Sequence, residues 1–254
     1  MIVVHIPTGQ GTGSYAGYCF GAMQRLAADK EALRLEKHIV PKNPPEPADN
    51  HCRAVKEAFQ SMQKEPEAIH VVCDSDTVVV MADWDIALKQ MLETYDCVGT
   101  AYQRIGTKQT GFSRYQTYKG KPNVEWMALK PGKPWHLYEP ARCNPTQPLM
   151  TNTPELQDLY GLPADYRVLQ DACWNLPIFL RDNGLTSLAF ENIDDPKCRK
   201  ALAAFPTSYE EWHLPDGTPF VLHQGRSRKN PFRGVPFSSD FYNRCDELIG
   251  IRLP

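Results

Sequence analysis

Two aspartates close an apolar run in Ile69-His-Val-Val-Cys-Asp74-Ser75-Asp76-Thr77-Val78. A pair of carboxylates at the end of a buried strand costs free energy unless a positive charge lies beside it. A hard divalent cation with oxygen ligands, bridging to the phosphates of a substrate, satisfies that need. A second candidate lies near the C-terminus, in Phe220-Val-Leu-His223-Gln-Gly225-Arg226-Ser-Arg228-Lys229-Asn-Pro231-Phe232-Arg233. There an apolar strand delivers an imidazole to a glycine-containing loop, and basic residues follow. Imidazole completes a metal's coordination sphere, glycine lets backbone approach a ligand, and clustered Arg and Lys neutralise phosphate. Taken singly, D-x-D is as often an Asp turn or a helix cap, and a lone histidine is more often a core residue. Together, Asp74, Asp76 and His223 have the donor chemistry of a cation bound to a diphosphate.

The elements that must position these groups are legible as short apolar runs and helical periodicities. Buried strands are expected over Ile2–Ile6, over Ile69–Cys73 continuing into Thr77–Met81, and over Cys97–Ala101. Helices are expected over Tyr18–Ala28, over Cys52–Met62 with Cys52, Val55, Phe59 and Met62 on one face, and over Ile86–Leu92. Strands alternating with helices predict an α/β fold with a largely parallel central sheet flanked by helices. Pro41–Pro47, with four prolines, is expected to be a surface connection. Residues 1 to about 105 are thus expected to form a nucleotide-binding-type α/β half of a single domain. Residues 106–254 read as a loop-rich half, shaping an acceptor pocket and closing the metal site.

Ligands of open α/β sheets bind at the carboxyl ends of the strands. The first strand ends in His5-Ile-Pro7-Thr8, followed by Gly9-Gln-Gly11-Thr-Gly13-Ser-Tyr15. This stretch is the expected seat of a nucleotide base and ribose, with Tyr15 able to stack and Thr8 able to hydrogen-bond. It is neither the dinucleotide G-x-G-x-x-G nor a Walker loop.

Composition excludes several classes. In 254 residues, 28 Lys and Arg against 30 Asp and Glu leave a net charge of −2, which argues against a polybasic nucleic-acid coat. No apolar run is long enough to span a bilayer, and Met1–Pro7 lacks the basic start of a signal peptide. The eight cysteines are scattered without a C-x-x-C pair, predicting reduced thiols and a cytoplasmic setting, a bacterial or phage-infected cell included.

Two enzyme classes use the Asp74–Val78 string. Haloacid dehalogenase-type phosphohydrolases use D-x-D-x-[TV], with the first Asp as nucleophile. Glycosyltransferases use D-x-D to hold a metal on a nucleotide-sugar diphosphate. The phosphohydrolase motif ends its first core strand, whereas a strand and helix precede Asp74 here, so the transferase is favoured. With H-Q-G-R-S-R-K-N-P-F downstream, the chain resembles the family 8 retaining glycosyltransferases of the glycogenin and lipopolysaccharide galactosyltransferase type, whose fold is GT-A. Their second motif is H-x-G-x-x-K-P-W. His, Gly, Lys and Pro persist in order, with two inserted residues and Phe232 for Trp.

The resemblance implies a GT-A-like fold and Mn²⁺ (or Mg²⁺) held by Asp74, Asp76 and His223. It implies a UDP-sugar donor bound by His5, Pro7, Thr8, Tyr15, Arg53, Asp74 and Ser75, with Gly225 and Lys229 on the diphosphate, a role for which the inserted residues make Arg226 and Arg228 competing candidates. Val168-Leu169-Gln170-Asp171 resembles the family's D-Q-D segment with Leu169 for the first Asp. On that match Gln170 lies beneath the anomeric carbon and Asp171 holds sugar or acceptor hydroxyls. Residues 123–129 fall where the family has a strand, with divergent residues. The resemblance leaves the hydroxyl acceptor open; the aromatic and basic residues of 102–121 and 135–148 suit stacking on a saccharide, or on a hydroxymethylated base of phage-type DNA. Three rivals differ in class: a phosphohydrolase using Asp74, a non-catalytic sugar- or nucleic-acid-binding module, and a nucleotidyltransferase, whose G-x-G-T-R-L opening is missing here.

Overall fold

A computed structural model describes residues 1–9, 13–40, 47–101, 121–140, 149–151, 158, 167–169, 173–192, 209–223 and 239–249. The chain opens with β1 (Ile2–Gly9), α1 (Gly13–Leu26), β2 (Leu33–Val40), α2 (Pro47–Ser61), β3 (Ile69–Cys73), β4 (Thr77–Val79), α3 (Trp84–Thr94), β5 (Cys97–Ala101) and β6 (Pro122–Leu129). It continues with β7 (Leu149–Thr151), β8 (Arg167–Leu169), α4 (Leu176–Asp182), β9 (Ser187–Asn192), β10 (Glu210–His213), β11 (Pro219–His223) and α5 (Ser239–Ile249).

Among the described residues, nine strands form one sheet in the order β2-β1-β3-β6-β5-β9-β10-β11-β4. Its first six strands are the mostly parallel central sheet, with β6 alone running against both neighbours. The α/β architecture with helices on the sheet is therefore present, and it is compatible with a GT-A-like fold. From β9 onward the sheet turns antiparallel, through β10 and β11 to β4. Strands from both halves of the chain share this sheet.

Periodicity explains the layers. Ile2, Val4 and Ile6 of β1 alternate onto one face, where Ala16, Cys19 and Met23 of α1 and Trp84, Leu88 and Leu92 of α3 cover them. The opposite face takes Cys52, Val55 and Phe59 of α2, with Trp135, Tyr138, Leu176 and Leu180. The Trp84 indole N–H donates to the carbonyl of Met23 at 2.8 Å, joining α3 to α1.

Three expectations change. The Thr77–Met81 run does not continue β3; a turn at Asp74–Asp76 redirects it, and β4 pairs with β11 at the far end of the sheet. Pro47 is the first residue of α2, where its missing N–H is harmless; residues 41–46 lie outside the described set. β2 was not expected, although Leu33, Leu35 and Ile39 alternate with polar residues as an edge strand's do. Six cysteines, 19, 52, 73, 97, 173 and 245, are buried thiols outside any disulfide. Among the described residues no helix is long and apolar enough to cross a membrane.

Gly99 of β5 faces Met127 of β6. A Cβ at this position would sit 2.5 Å from the Trp126 carbonyl oxygen and 2.9 Å from the Met127 Cα. Both are backbone atoms, so relief requires a shift of the strand itself. Gly99→Ala is expected to destabilise the fold by about 1–3 kcal/mol, the usual cost of overpacking. Urea unfolding checks this, and a midpoint equal to the parent's would contradict it.

Candidate metal centre

Register brings distant residues together. β4 pairs with β11 so that Thr77 faces His223, and β11 pairs with β10 so that His223 faces Glu210. β3 pairs with β6 so that Cys73 faces Trp126, which sets Glu125 beside the turn. The turn is pinned by β6: the Asp74 N–H and the Thr77 hydroxyl donate to the Glu125 carbonyl at 3.0 and 2.9 Å. One ligand atom from each of Asp74, Asp76 and His223 lies within 4.8 Å of the others. Glu125, Glu210 and His223 form a second such group sharing the same imidazole.

Both ring nitrogens of His223 are engaged. Nε2 is 3.4 Å from Asp76 Oδ1, and Nδ1 is 3.1 Å from Glu210 Oε2 and 3.7 Å from Glu125 Oε2. His223 and Asp76 are buried; Asp74, Glu125 and Glu210 are half-buried. Burial alone would lower the proton affinity of His223. The charges of Glu125 and Asp76, then hydrogen bonds to Asp76 and Glu210, outweigh it and hold the pKa well above the ordinary histidine value. With no cation bound, His223 is therefore an imidazolium at neutral pH, set among carboxylates.

A metal held by this ring would compete with its proton, which fixes the sign of a pH dependence. A coordinating imidazole must be neutral, so cation affinity rises as pH rises through the elevated pKa of His223. The ion-free fold behaves oppositely. Stability from the imidazolium is complete below the unfolded value of about 6.5 and is lost as pH rises through the folded one. Mn²⁺ titrations from pH 6 to 9 are expected to tighten with pH; affinity that is flat or weakens would contradict this.

The donor set suits a divalent cation of the Mn²⁺ or Mg²⁺ type: carboxylate oxygens dominate and one imidazole favours Mn²⁺. The four carboxylates of Asp74, Asp76, Glu125 and Glu210 outnumber the positive charge one imidazolium supplies.

The structure also adds His51. It lies near the start of α2, and its Nε2 is 3.0 Å from Asp74 Oδ1. Arg53, expected to reach the donor, is two residues further on, about 200° around the helix, and is exposed. Sequence patterns alone did not point to Glu125, Glu210 or His51. The available signals were a charged residue inside a strand-like run for Glu125, and a His-Cys-Arg string in which either polar residue fits the helix face.

The remaining predicted residues divide. Ser75 sits half-buried in the turn between the two aspartates. Pro7 and Thr8 are buried at the carboxyl end of β1, the same sheet edge as the Asp74 turn. His5 is not at that edge: it stands level with Val72, enclosed and paired with His38 and His70. The sequence placed it with the donor because β1 ends nearby. Tyr15 is in the first turn of α1, and its side chain is outside the described set, as are Gln170, Asp171, Gly225, Arg228 and Lys229.

No protein-family model matches the chain, and no curated protein does. Among solved structures, the crystal structure of A197 from STIV is similar over 67% of this chain and 82% of that one, at 11% identity and a TM-score of 0.33. That likeness is too slight to bear on function.

Proposed function

We propose that the protein is a metal-dependent glycosyltransferase moving a sugar from a nucleotide diphosphate, with UDP the expected nucleotide, to a hydroxyl acceptor. One observation carries the reading: Asp74, Asp76 and His223 converge within 4.8 Å at the carboxyl edge of a mostly parallel sheet. That edge is where α/β folds bind nucleotides.

Asp74, Asp76 and His223 would hold Mn²⁺ or Mg²⁺. When bound, such a cation offsets the charge that develops on a departing diphosphate. His51 orients Asp74 through its ring nitrogen. Glu210 and Glu125 set the His223 ring so that Nε2 points at Asp76. Thr8 and Pro7 lie on the edge where the nucleoside would rest. Gly225, Arg228 and Lys229 follow His223 directly in the chain, and supply backbone access and positive charge for the diphosphate. Gln170 and Asp171 are assigned to the sugar by the family resemblance, which also implies retention of anomeric configuration. Acceptors in this reading are a saccharide or a hydroxymethylated base.

Incubation with a panel of nucleotide sugars and Mn²⁺, following release of nucleoside diphosphate, tests the reading. Turnover of one or a few donors, abolished by chelator, is expected. Hydrolysis of a generic phosphate ester without nucleotide-sugar turnover would replace it with the phosphohydrolase reading. Donor binding without turnover against saccharide and DNA acceptors would leave a binding module.

A further inference from the structure

Beneath α2, on the sheet face opposite the one where α1 and α3 pack against Ile2, Val4 and Ile6, lies a cluster the proposed reaction does not use. Parallel pairing sets His5 beside Glu36, Pro7 beside His38 and Val3 beside His70, all on the face that α2 covers. His5 Nδ1 is 3.0 Å from His38 Nε2 and 3.4 Å from both Glu36 Oε2 and Ser61 Oγ. His5 Nε2 is 2.9 Å from His70 Nδ1, and His70 Nε2 is 3.0 Å from the Glu65 carbonyl.

A carbonyl only accepts, so His70 Nε2 carries the proton and donates to Glu65. Neutral His70 then has a bare Nδ1, which accepts from His5 Nε2–H. Neutral His5 in turn presents a bare Nδ1. That lone pair faces His38, Glu36 and Ser61, and the Ser61 hydroxyl already donates to the Ala58 carbonyl at 2.7 Å.

We propose that His5 Nδ1, Glu36 Oε2 and His38 Nε2 form a second metal site, of the zinc type, separate from the Asp74–Asp76–His223 centre. One ligand atom from each of these three residues lies within 4.8 Å of the others. Tetrahedral zinc with bonds of about 2.0–2.1 Å separates its ligand atoms by roughly 3.3 Å, and the separations from His5 Nδ1 to His38 and to Glu36 are 3.0 and 3.4 Å. Two imidazoles and one carboxylate suit zinc better than Mg²⁺ or Ca²⁺. The surroundings are those of a metal-binding histidine: the other ring nitrogen of His5 donates to His70, and Arg34 holds the second Glu36 oxygen at 2.7 Å. Water reaching past half-exposed Glu36 takes the fourth position. The ion would pin edge strand β2 and β1 beneath the last turn of α2, the helix that carries His51 to Asp74.

The test is a titration of the full chain with Zn²⁺ alone, read by competition with a chromophoric chelator. The Asp76→Asn/Glu210→Gln chain, in which each of the two ligand groups around His223 loses a carboxylate, is expected to bind one zinc. Adding Glu36→Gln or His38→Gln is expected to weaken that binding at least ~10-fold. Glu36 is half-exposed, so Glu36→Gln keeps the fold, as circular dichroism would verify, and it decides the matter even where His38→Gln is unstable. Absence of zinc binding in the Asp76→Asn/Glu210→Gln chain, or binding unchanged by Glu36→Gln, overturns the proposal. No nucleotide sugar enters this experiment, so its failure leaves the proposed function standing.

Discussion

Asp76→Asn is expected to lower Mn²⁺ affinity by at least ~10–100-fold, the loss that even outer-shell changes cause at metal sites. Asp76 is the buried carboxylate of the pair and the one against His223 Nε2. Asparagine keeps the shape and an acceptor oxygen but loses the charge, so the cation loses one of its anionic ligands. Stability in the ion-free chain changes little, because two effects oppose each other. His223 loses one of its carboxylate neighbours, while the crowded carboxylates of Asp74, Glu125 and Glu210 lose a like charge. The contrast appears on adding metal. At a Mn²⁺ concentration about 100 times Kd, the parent gains about 2.7 kcal/mol of unfolding free energy, and the variant gains almost none. Thermal and urea unfolding with and without Mn²⁺ measure this. A variant stabilised by Mn²⁺ as much as the parent would remove Asp76 from the centre.

Trp126→Ala is expected to cost about 3–5 kcal/mol, the range for deleting a large buried aromatic. Trp126 is fully buried, edge-on to Trp84 at 6.5 Å and to Phe220 at 5.1 Å, with Phe190 at 5.8 Å. These rings belong to α3, β11 and β9, so one side chain joins the central sheet to the antiparallel extension. Against a typical total of about 5–15 kcal/mol, the loss is a large share. Trp126 also adjoins Glu125, whose carbonyl holds the Asp74 turn. Metal affinity should therefore fall with stability, whereas Trp126→Phe should retain most of both. Urea unfolding and a Mn²⁺ titration on the two variants check this; a loss below about 1 kcal/mol for the alanine variant would contradict the packing argument.

The aspartates, the late histidine and the α/β alternation were legible because each is a local signal. An apolar run ending in Asp74 and Asp76 announces a strand end, and Cys52, Val55, Phe59 and Met62 announce a helix face. Glu125 and Glu210 were not legible as neighbours of His223. Glu125 is a lone acid in its strand and Glu210 one of two adjacent acids in β10, and a strand's sequence carries its two-residue period without naming its partner. β4 shows the same limit. Its valines look like more of β3, yet they pair with β11 because a turn and the core beyond it redirect the chain.

Residue order thus marked the first strands and helices, and Asp74, Asp76 and His223 as side chains with donor chemistry. Folding settled which strand lies beside which, in what register and under which helix. That is why His223 meets Asp76, why His51 and not Arg53 reaches Asp74, and why His5 joins His38 and His70 instead of the sheet edge. The physical reason is range: periodicity is written within a few residues, whereas register is chosen by burying whole faces against one another.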